Sequence, residues 1–153
     1  MILNLDLHTH TSRYSPCSVL SPQALCEIAI ERGLHALAIT EHQHQWSKPD
    51  LAALQAQYPS LKLYRGVEVS CGDGHDYIVL GLANAHRVRY GMSYRDLRAL
   101  IDDSPGAFVF IAHCFRHSGS DEGLSQREID GIEMASHNIL ARPQPASGPA
   151  EIV

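Results

Sequence analysis

The segment Ser21-Pro22-Gln23-Ala24-Leu25-Cys26-Glu27-Ile28-Ala29-Ile30-Glu31-Arg32-Gly33-Leu34-His35-Ala36-Leu37-Ala38-Ile39-Thr40 decides the architecture. Ser21 is a helix N-cap residue, because its hydroxyl can accept from an N–H that the first turn leaves unpaired. Pro22 suits the first helical position, where a missing N–H costs nothing. Leu25, Ile28, Ala29 and Arg32 recur at helical spacing, and Gly33 ends the helix by tolerating left-handed backbone. Residues 36–40 then form a short, continuously apolar run. A strand with one face in water alternates, whereas a parallel strand buried on both faces need not. A capped helix feeding such a strand is half of a parallel crossover unit.

Working outward, residues 2–8 read as a first strand, 49–57 as a second helix with Pro59 beyond its end, and 61–70 as a third strand. Cys71-Gly72-Asp73-Gly74 is a turn signal, and a strand over 77–82 follows it at once. A parallel return needs a crossover of about a dozen residues, so this connection is an antiparallel hairpin. A third helix is predicted over 93–102, a turn over 104–106, and strands over 107–112 and 129–135. Prolines at 143, 145 and 149 make the stretch after Asn138 irregular. The expected organisation is one domain over 1–140 and an irregular tail over 141–153. Strand–helix alternation implies an α/β fold with a mainly parallel sheet, with too few units for a complete eight-stranded barrel.

A chain of 153 residues can bury one real core, and its 44% hydrophobic and 19% charged content is ordinary for a globular protein. The formal net charge of −5 argues against an extended nucleic-acid surface but leaves a local basic pocket open. No apolar run is long enough to span a membrane. The N-terminus lacks the basic region and cleavage site of a signal peptide, so the expected compartment is the cytoplasm. The four cysteines show no CxxC pairing and are expected to be free thiols there. The ten histidines nearly match the twelve lysines and arginines.

Those histidines are not scattered. Asp6, His8 and His10 alternate, and on extended backbone residues two apart share a face, so both imidazoles can reach one ion. Imidazole suits zinc, iron, manganese or nickel. Alone, the pair could equally be two exposed histidines at a strand end. Glu41 and His42, however, follow the second strand, Glu68 lies near the end of the third, and His113 closes the strand over 107–112. In parallel α/β folds these strand ends form the active-site edge. The hairpin should return His75 close to Glu68.

The segments Asp6-Leu7-His8-Thr9-His10-Thr11-Ser12, Ala38-Ile39-Thr40-Glu41-His42, Gly66-Val67-Glu68-Val69-Ser70, His75-Asp76-Tyr77-Ile78-Val79-Leu80-Gly81 and Ile111-Ala112-His113 resemble, in order, the motifs of the PHP (polymerase and histidinol phosphatase) family. The resemblance runs from about residue 3 to about residue 136, and Gly131-Ile132-Glu133 resembles the family's late strand. It implies a distorted (β/α)7 TIM-like barrel carrying two or three divalent ions, zinc, manganese or iron. His8, His10, His42, Glu68, His75 and His113 would be metal ligands, with Glu68 bridging. Glu41 stands where the family more often has Asp, and would either ligate or orient His42. Of the residues soon after the first motif, where the family often has a further Asp or His, Ser15 and Cys17 are nearest. Cys17 reads as a buried thiol or as a soft zinc ligand.

Two departures stand out. The family's closing Asp-x-His pair is not found, which suggests a barrel lacking its last β/α elements, with an uncovered edge suited to a homodimer. Cys114 also replaces the proline usual after the motif histidine.

The activity implied is phosphoester hydrolysis of a small phosphomonoester or nucleotide by a metal-bound hydroxide. Two ions about 3.5–4 Å apart would clamp the attacking and leaving oxygens. Glu68, His42 and Glu41 are the catalytic candidates. Arg13 and Arg116 are candidate phosphate ligands, with ordinary surface arginine as the alternative for each. A short oligonucleotide substrate, as in a 5′–3′ exonuclease, is a second reading, and an inactive metal-binding module a third. His35, His44 and His86 are read as background. His117 and His137 are read mainly so, though either could replace a missing ligand. Trp46 would line the site mouth or anchor a loop.

Overall fold

The computed structural model describes residues 2–113 and 128–133. The segment 21–40 forms as its sequence predicts: α1 spans Pro22–Glu31 and β2 spans Ala36–Ile39. Ser21 Oγ accepts from Ala24 N at 3.1 Å, and Gly33 takes φ 71° to end the turn. The same device opens α2 (Lys48–Gln57) at Ser47 and α3 (Tyr94–Asp102) at Ser93. In both, the cap serine also donates to the aspartate three residues on, Asp50 or Asp96, at 2.8 Å.

The remaining strands are β1 (Leu5–Thr9), β3 (Lys62–Ser70), β4 (Asp76–Leu80), β5 (Phe108–Ala112) and β6 (Gly131–Ile132). They form one six-stranded sheet in chain order, β1 to β6. The pairs β1–β2, β2–β3 and β5–β6 are parallel, while β3–β4 and β4–β5 are antiparallel. The hairpin expected at residues 71–74 is therefore present, and the sheet is mixed.

Alternation along β3 divides the molecule. Leu63, Val67 and Val69 face the helices. Leu63 joins Leu25, Ala29, Leu37, Ile39, Leu51 and Leu54 under α1 and α2. Val67 and Val69 join Val79, Leu97, Leu100, Ile101, Val109 and Ile111 under α3. The even-numbered residues of β3 line the other, inner face, where Leu7 of β1 packs on Ile78 and Phe110 of β4 and β5. Contact between strands so far apart in sheet order means that the sheet curls into a half-barrel. Gly66 is closely packed: a Cβ there would come within 2.6 Å of Leu80 Cδ2 and 2.7 Å of Thr40 Cγ2. Only glycine fits without displacing both neighbours.

Two expectations shift. The first strand begins at Leu5: Ile2 and Leu3 are exposed and have no sheet partner among the described residues. Of the strand expected over 129–135, Gly131–Ile132 pair with β5, and 134–135 lie outside the described residues. The tail over 141–153, Cys114, Arg116, His117 and His137 also lie outside them. No helix among the described residues is long and apolar enough to cross a membrane.

Candidate metal centre

Glu68 lies on the inner face of β3 and is fully buried. Its backbone is bracketed by the segment after β2: Glu68 N donates to Glu41 O at 3.0 Å, and Gln43 N donates to Glu68 O at 2.8 Å. This extends the parallel ladder to a His42–Glu68 bridge. Gln43 then takes φ 55°, and the chain leaves the sheet immediately after delivering His42. On the other side, Thr9 and Thr40 pin the end of β1 to β2 through Thr40 N to Thr9 O at 2.8 Å and Thr9 Oγ1 to Ala38 O at 2.8 Å. His8 and His10 straddle that clasp, with their Nε2 atoms 3.1 Å apart. His113, just past β5, has φ 32°, an unusual backbone for a residue with a side chain. Its N–H donates to Glu133 Oε2 at 2.6 Å.

The Glu68 carboxylate has two unlike oxygens. Oε1 is 3.2 Å from His113 Nε2 in hydrogen-bonding geometry. Oε2 is 3.0 Å from His10 Nε2, 3.0 Å from His42 Nδ1 and 3.4 Å from His8 Nε2. Yet it is buried with no hydrogen bond to it among the described residues. A buried acceptor left without a donor costs about 1–3 kcal/mol. Three imidazoles converging on one such oxygen make a donor set that a cation would satisfy.

Among the described residues three overlapping groups of ligand atoms result: His8, His10 and Glu68; Glu68, Asp76 and His113; and His10, Cys17 and His42. Within each, the atoms lie within 4.8 Å of one another. Glu68 belongs to two groups, the position that a bridging carboxylate occupies.

The charges inside the cluster shift one another. Burial would raise the Glu68 carboxyl, but His10, His113 and His8 outweigh it and hold the group well below the usual carboxylate range. Burial works against charge on His8 too, and its contacts with Glu133 and Glu68 overcome this, raising it from 6.5 to about 9. Glu133 is lowered, with His8 and the His113 N–H outweighing burial. His42 is lowered, mainly by burial.

Five of the six expected ligands are thus brought together: His8, His10, His42, Glu68 and His113. His75 is not in the cluster. Its ring lies beside Tyr77, with centroids 6.4 Å apart, and Asp76 is the residue grouped with Glu68 and His113. The hairpin does return this segment to Glu68, but strand alternation sends only every second side chain inward. Asp76 pairs with Ser70 and Ala112 on the inner face. Glu41 is fully buried, and its carboxylate is taken by Thr11 N at 3.1 Å, Thr11 Oγ1 and Trp46 Nε1 at 3.0 Å. It braces the loop after β1 instead of orienting the His42 ring. Trp46 is accordingly a buried loop anchor.

Arg13 lies over Trp46, its guanidinium carbon 4.7 Å from the ring centroid, and pairs with Asp50 at 3.3 Å. The buried-thiol reading of Cys17 does not hold: the residue is exposed, with Sγ 3.4 Å from His42 Nε2. Ser15 is buried, accepts from His42 N at 3.1 Å and lies 3.4 Å from His10 Nδ1. His35 lies outside the cluster, its ring Nδ1 accepting from Asn4 N at 2.9 Å. Asp76 and Glu133 had no part in the expected site. Alternation in β4 and the strand-end position of Glu133 were the signals available for them.

A curled α/β sheet with imidazoles and carboxylates gathered at one edge defines the class of this protein. The chain belongs to the PHP domain family, whose match covers residues 6–138. No curated protein matches it in sequence. Among solved structures it is similar to a Bifidobacterium adolescentis protein designated a metal-dependent phosphoesterase, with TM-score 0.66 and 16% identity over 87% of this chain and 77% of that one. It is also similar to an amidohydrolase from Chromobacterium violaceum with bound sulfate and no metal, with TM-score 0.65 and 17% identity over 90% and 81%. A third is PsfC from Pseudomonas syringae, with TM-score 0.59 and 15% identity over 85% and 63%. At these identities the likeness is one of fold.

Proposed function

We propose that this chain is a metal-dependent hydrolase of phosphate esters, acting on a small phosphomonoester or a nucleotide. The observation that carries the reading is Glu68 Oε2, buried without a hydrogen bond among His8, His10 and His42, while Oε1 turns to His113. PHP membership and the designation of the Bifidobacterium protein support the reaction class. We assign the family's (β/α)7 barrel to the domain as a whole, with β1–β6 as its described strands.

His8, His10, His42, Glu68, Asp76 and His113 would hold two or three divalent ions of the zinc, manganese or iron kind, Asp76 standing where His75 was expected. Such ions supply Lewis-acid activation of water and neutralise phosphate charge. The protein's own contribution is orientation. Glu133 holds His8 Nδ1 at 3.2 Å and so leaves Nε2 facing Glu68, the outer carboxylate partner typical of a ligating histidine. The same residue ties down the His113 backbone. Glu41 fixes the loop from which His10 projects. Arg13 is engaged with Asp50 and Trp46, so the surface reading suits it better than phosphate binding. Arg116 keeps the phosphate-binding role. The net charge of −5 favours a small substrate over an oligonucleotide.

Elemental analysis of the purified chain, paired with hydrolysis of a chromogenic phosphomonoester and of nucleoside monophosphates, tests the proposal. The expected result is bound divalent metal and turnover, both lost in His10→Ala. Fully loaded protein inert towards every phosphoester offered would overturn the enzyme reading and leave a metal-binding module.

A further inference from the structure

We propose that the cavity between residues 43–45, after β2, and residues 85–89, after β4, binds a small oxyanion that also carries a hydroxyl, the chemistry of phosphate. None of the candidate metal ligands lines this cavity, so the inference goes beyond the metal centre and does not rest on it.

The cavity has a volume of about 310 Å³, at the small end of ligand pockets. Both of its walls are braced. On one side, Gln43 N donates to Glu68 O at 2.8 Å, and Arg65 donates to Trp46 O at 3.1 Å. Between these anchors the His44 ring lies against Tyr14, with centroids 4.0 Å apart. On the other side, Val88 is buried in the core under α3. Arg89 Nη1 donates to His86 O and to Val88 O, each at 2.7 Å. That occupies one guanidinium nitrogen, and the group has further N–H donors.

Two observations select the ligand. The first is charge. The ionisable side chains lining the cavity are those of Arg89, His44 and His86, and no carboxylate lines it among the described residues. A guanidinium keeps its charge, and imidazoles add N–H donors. The second is an unmet need for partners. Gln43 Oε1 and Gln45 Nε2 are both buried with no hydrogen bond among the described residues. Both residues line the same cavity. A buried polar group without a partner costs stability, so a ligand that draws these carboxamides round to itself recovers that cost. Gln45 Nε2 needs an acceptor, and Gln43 Oε1 needs a donor. Sulfate offers acceptors alone. Monohydrogen phosphate offers acceptors and one O–H.

Inorganic phosphate is the probe, titrated calorimetrically into the full-length chain after chelation and dialysis. Sulfate at equal ionic strength is the comparison. We expect saturable phosphate binding, tighter than that of sulfate by about tenfold or more, the worth of one hydrogen bond to a charged group. Arg89→Ala should weaken phosphate binding by about tenfold or more. Arg89 also braces its own turn, so His86→Ala, at an exposed position, is the second variant and should weaken binding by about threefold or more. Gln43→Met should bring phosphate and sulfate within about twofold of each other. Binding should survive in His10→Ala. Phosphate binding lost in His10→Ala but kept in Arg89→Ala and His86→Ala belongs to the metal centre; it overturns this inference and leaves that reading standing. Equal affinity for the two ions in the unmodified chain, or saturable uptake of neither, overturns it as well.

Discussion

The two halves of the sheet deliver their ligands differently. In the parallel half, β1–β3, the imidazoles of His10 and His42 sit just past strand ends, on loops held by side-chain hydrogen bonds: Thr9 with Thr40, Thr11 and Trp46 with Glu41, Ser15 with His42. In the antiparallel half, β3–β5, Asp76 opens a strand and is aimed at the inner face by ladder register. Loop-borne ligands can be spotted from residue type, because a loop needs its own polar scaffold and that scaffold is written nearby. Strand-borne ligands depend on parity, and a shift of one residue sends a side chain to the opposite face.

Glu68 belongs to both halves, so it carries the largest expected effect. Glu68→Gln keeps the side chain's shape but removes the charge that His8, His10, His42 and His113 surround. Hydrolysis should fall about 10³-fold or more, which is about 4 kcal/mol of transition-state stabilisation. Metal content should drop in parallel. If Glu68→Gln lost only one ion and kept most of its turnover, the halves would be independent sites and the bridging role would be gone.

Next in size is the test of parity itself. Asp76→Asn should weaken metal binding in the antiparallel half by about 10–100-fold, while His75→Gln leaves metal content and turnover within about twofold. The opposite ranking, read by elemental analysis and kcat/KM, would return His75 to the ligand set in place of Asp76.

This pair also shows what the sequence could reveal. The Ser21 cap, the Gly33 stop and the turn at 71–74 are local chemistry, and each stands where the residues say. His8, His10, His42, Glu68 and His113 were legible because imidazoles and a carboxylate recur at strand ends. Asp76 was hidden because histidine is the more conspicuous ligand and stands one residue earlier. Glu133 was hidden because its partners, His8 and His113, are more than a hundred and twenty residues, and twenty, away in sequence. Glu41 drew attention beside His42, but only packing reveals that Thr11 and Trp46 occupy its oxygens.

A smaller effect concerns protons. His8 is raised from 6.5 to about 9 in the metal-free protein, so below that pH a proton occupies a ligand. Metal uptake must expel it, and affinity should rise with pH up to about 9. Calorimetry in two buffers of different ionisation enthalpy should register proton release at pH 7.5 and less of it in Glu133→Gln. The sign for stability of the metal-free chain is the reverse. The raised His8 pKa stabilises the fold fully below 6.5, and that contribution is lost as pH rises through about 9. The lowered Glu133 contributes above its ordinary 4.5 and loses its share as pH falls. Urea melts of chelated protein between pH 6 and 10 should therefore show falling stability from His8. Flat stability across that window, with no proton release on loading, would mean that His8 is already neutral and that Glu133 does not polarise it.

The smallest expected effect is at Arg13, and it sharpens the contrast between a site and its surroundings. Arg13 follows the first motif closely enough to suggest a phosphate ligand, but its guanidinium lies on Trp46 and against Asp50, with both partners of that pair substantially exposed. An exposed ion pair contributes about 0–1 kcal/mol and a stacked cation at an exposed site about 0.5–1 kcal/mol. Arg13→Ala should therefore lower stability by about 0.5–2 kcal/mol and leave KM within about twofold. A phosphate-binding arginine would behave otherwise: its loss would raise KM about tenfold or more, since charge-assisted hydrogen bonds are worth about 1.5–3 kcal/mol. Asp50→Ala separates the two behaviours further. If Arg13 only braces α2, Asp50→Ala leaves KM within about twofold, while its stability loss also includes the Ser47 hydroxyl's partner at the α2 cap. If Asp50 holds the arginine in reserve, freeing it should lower KM.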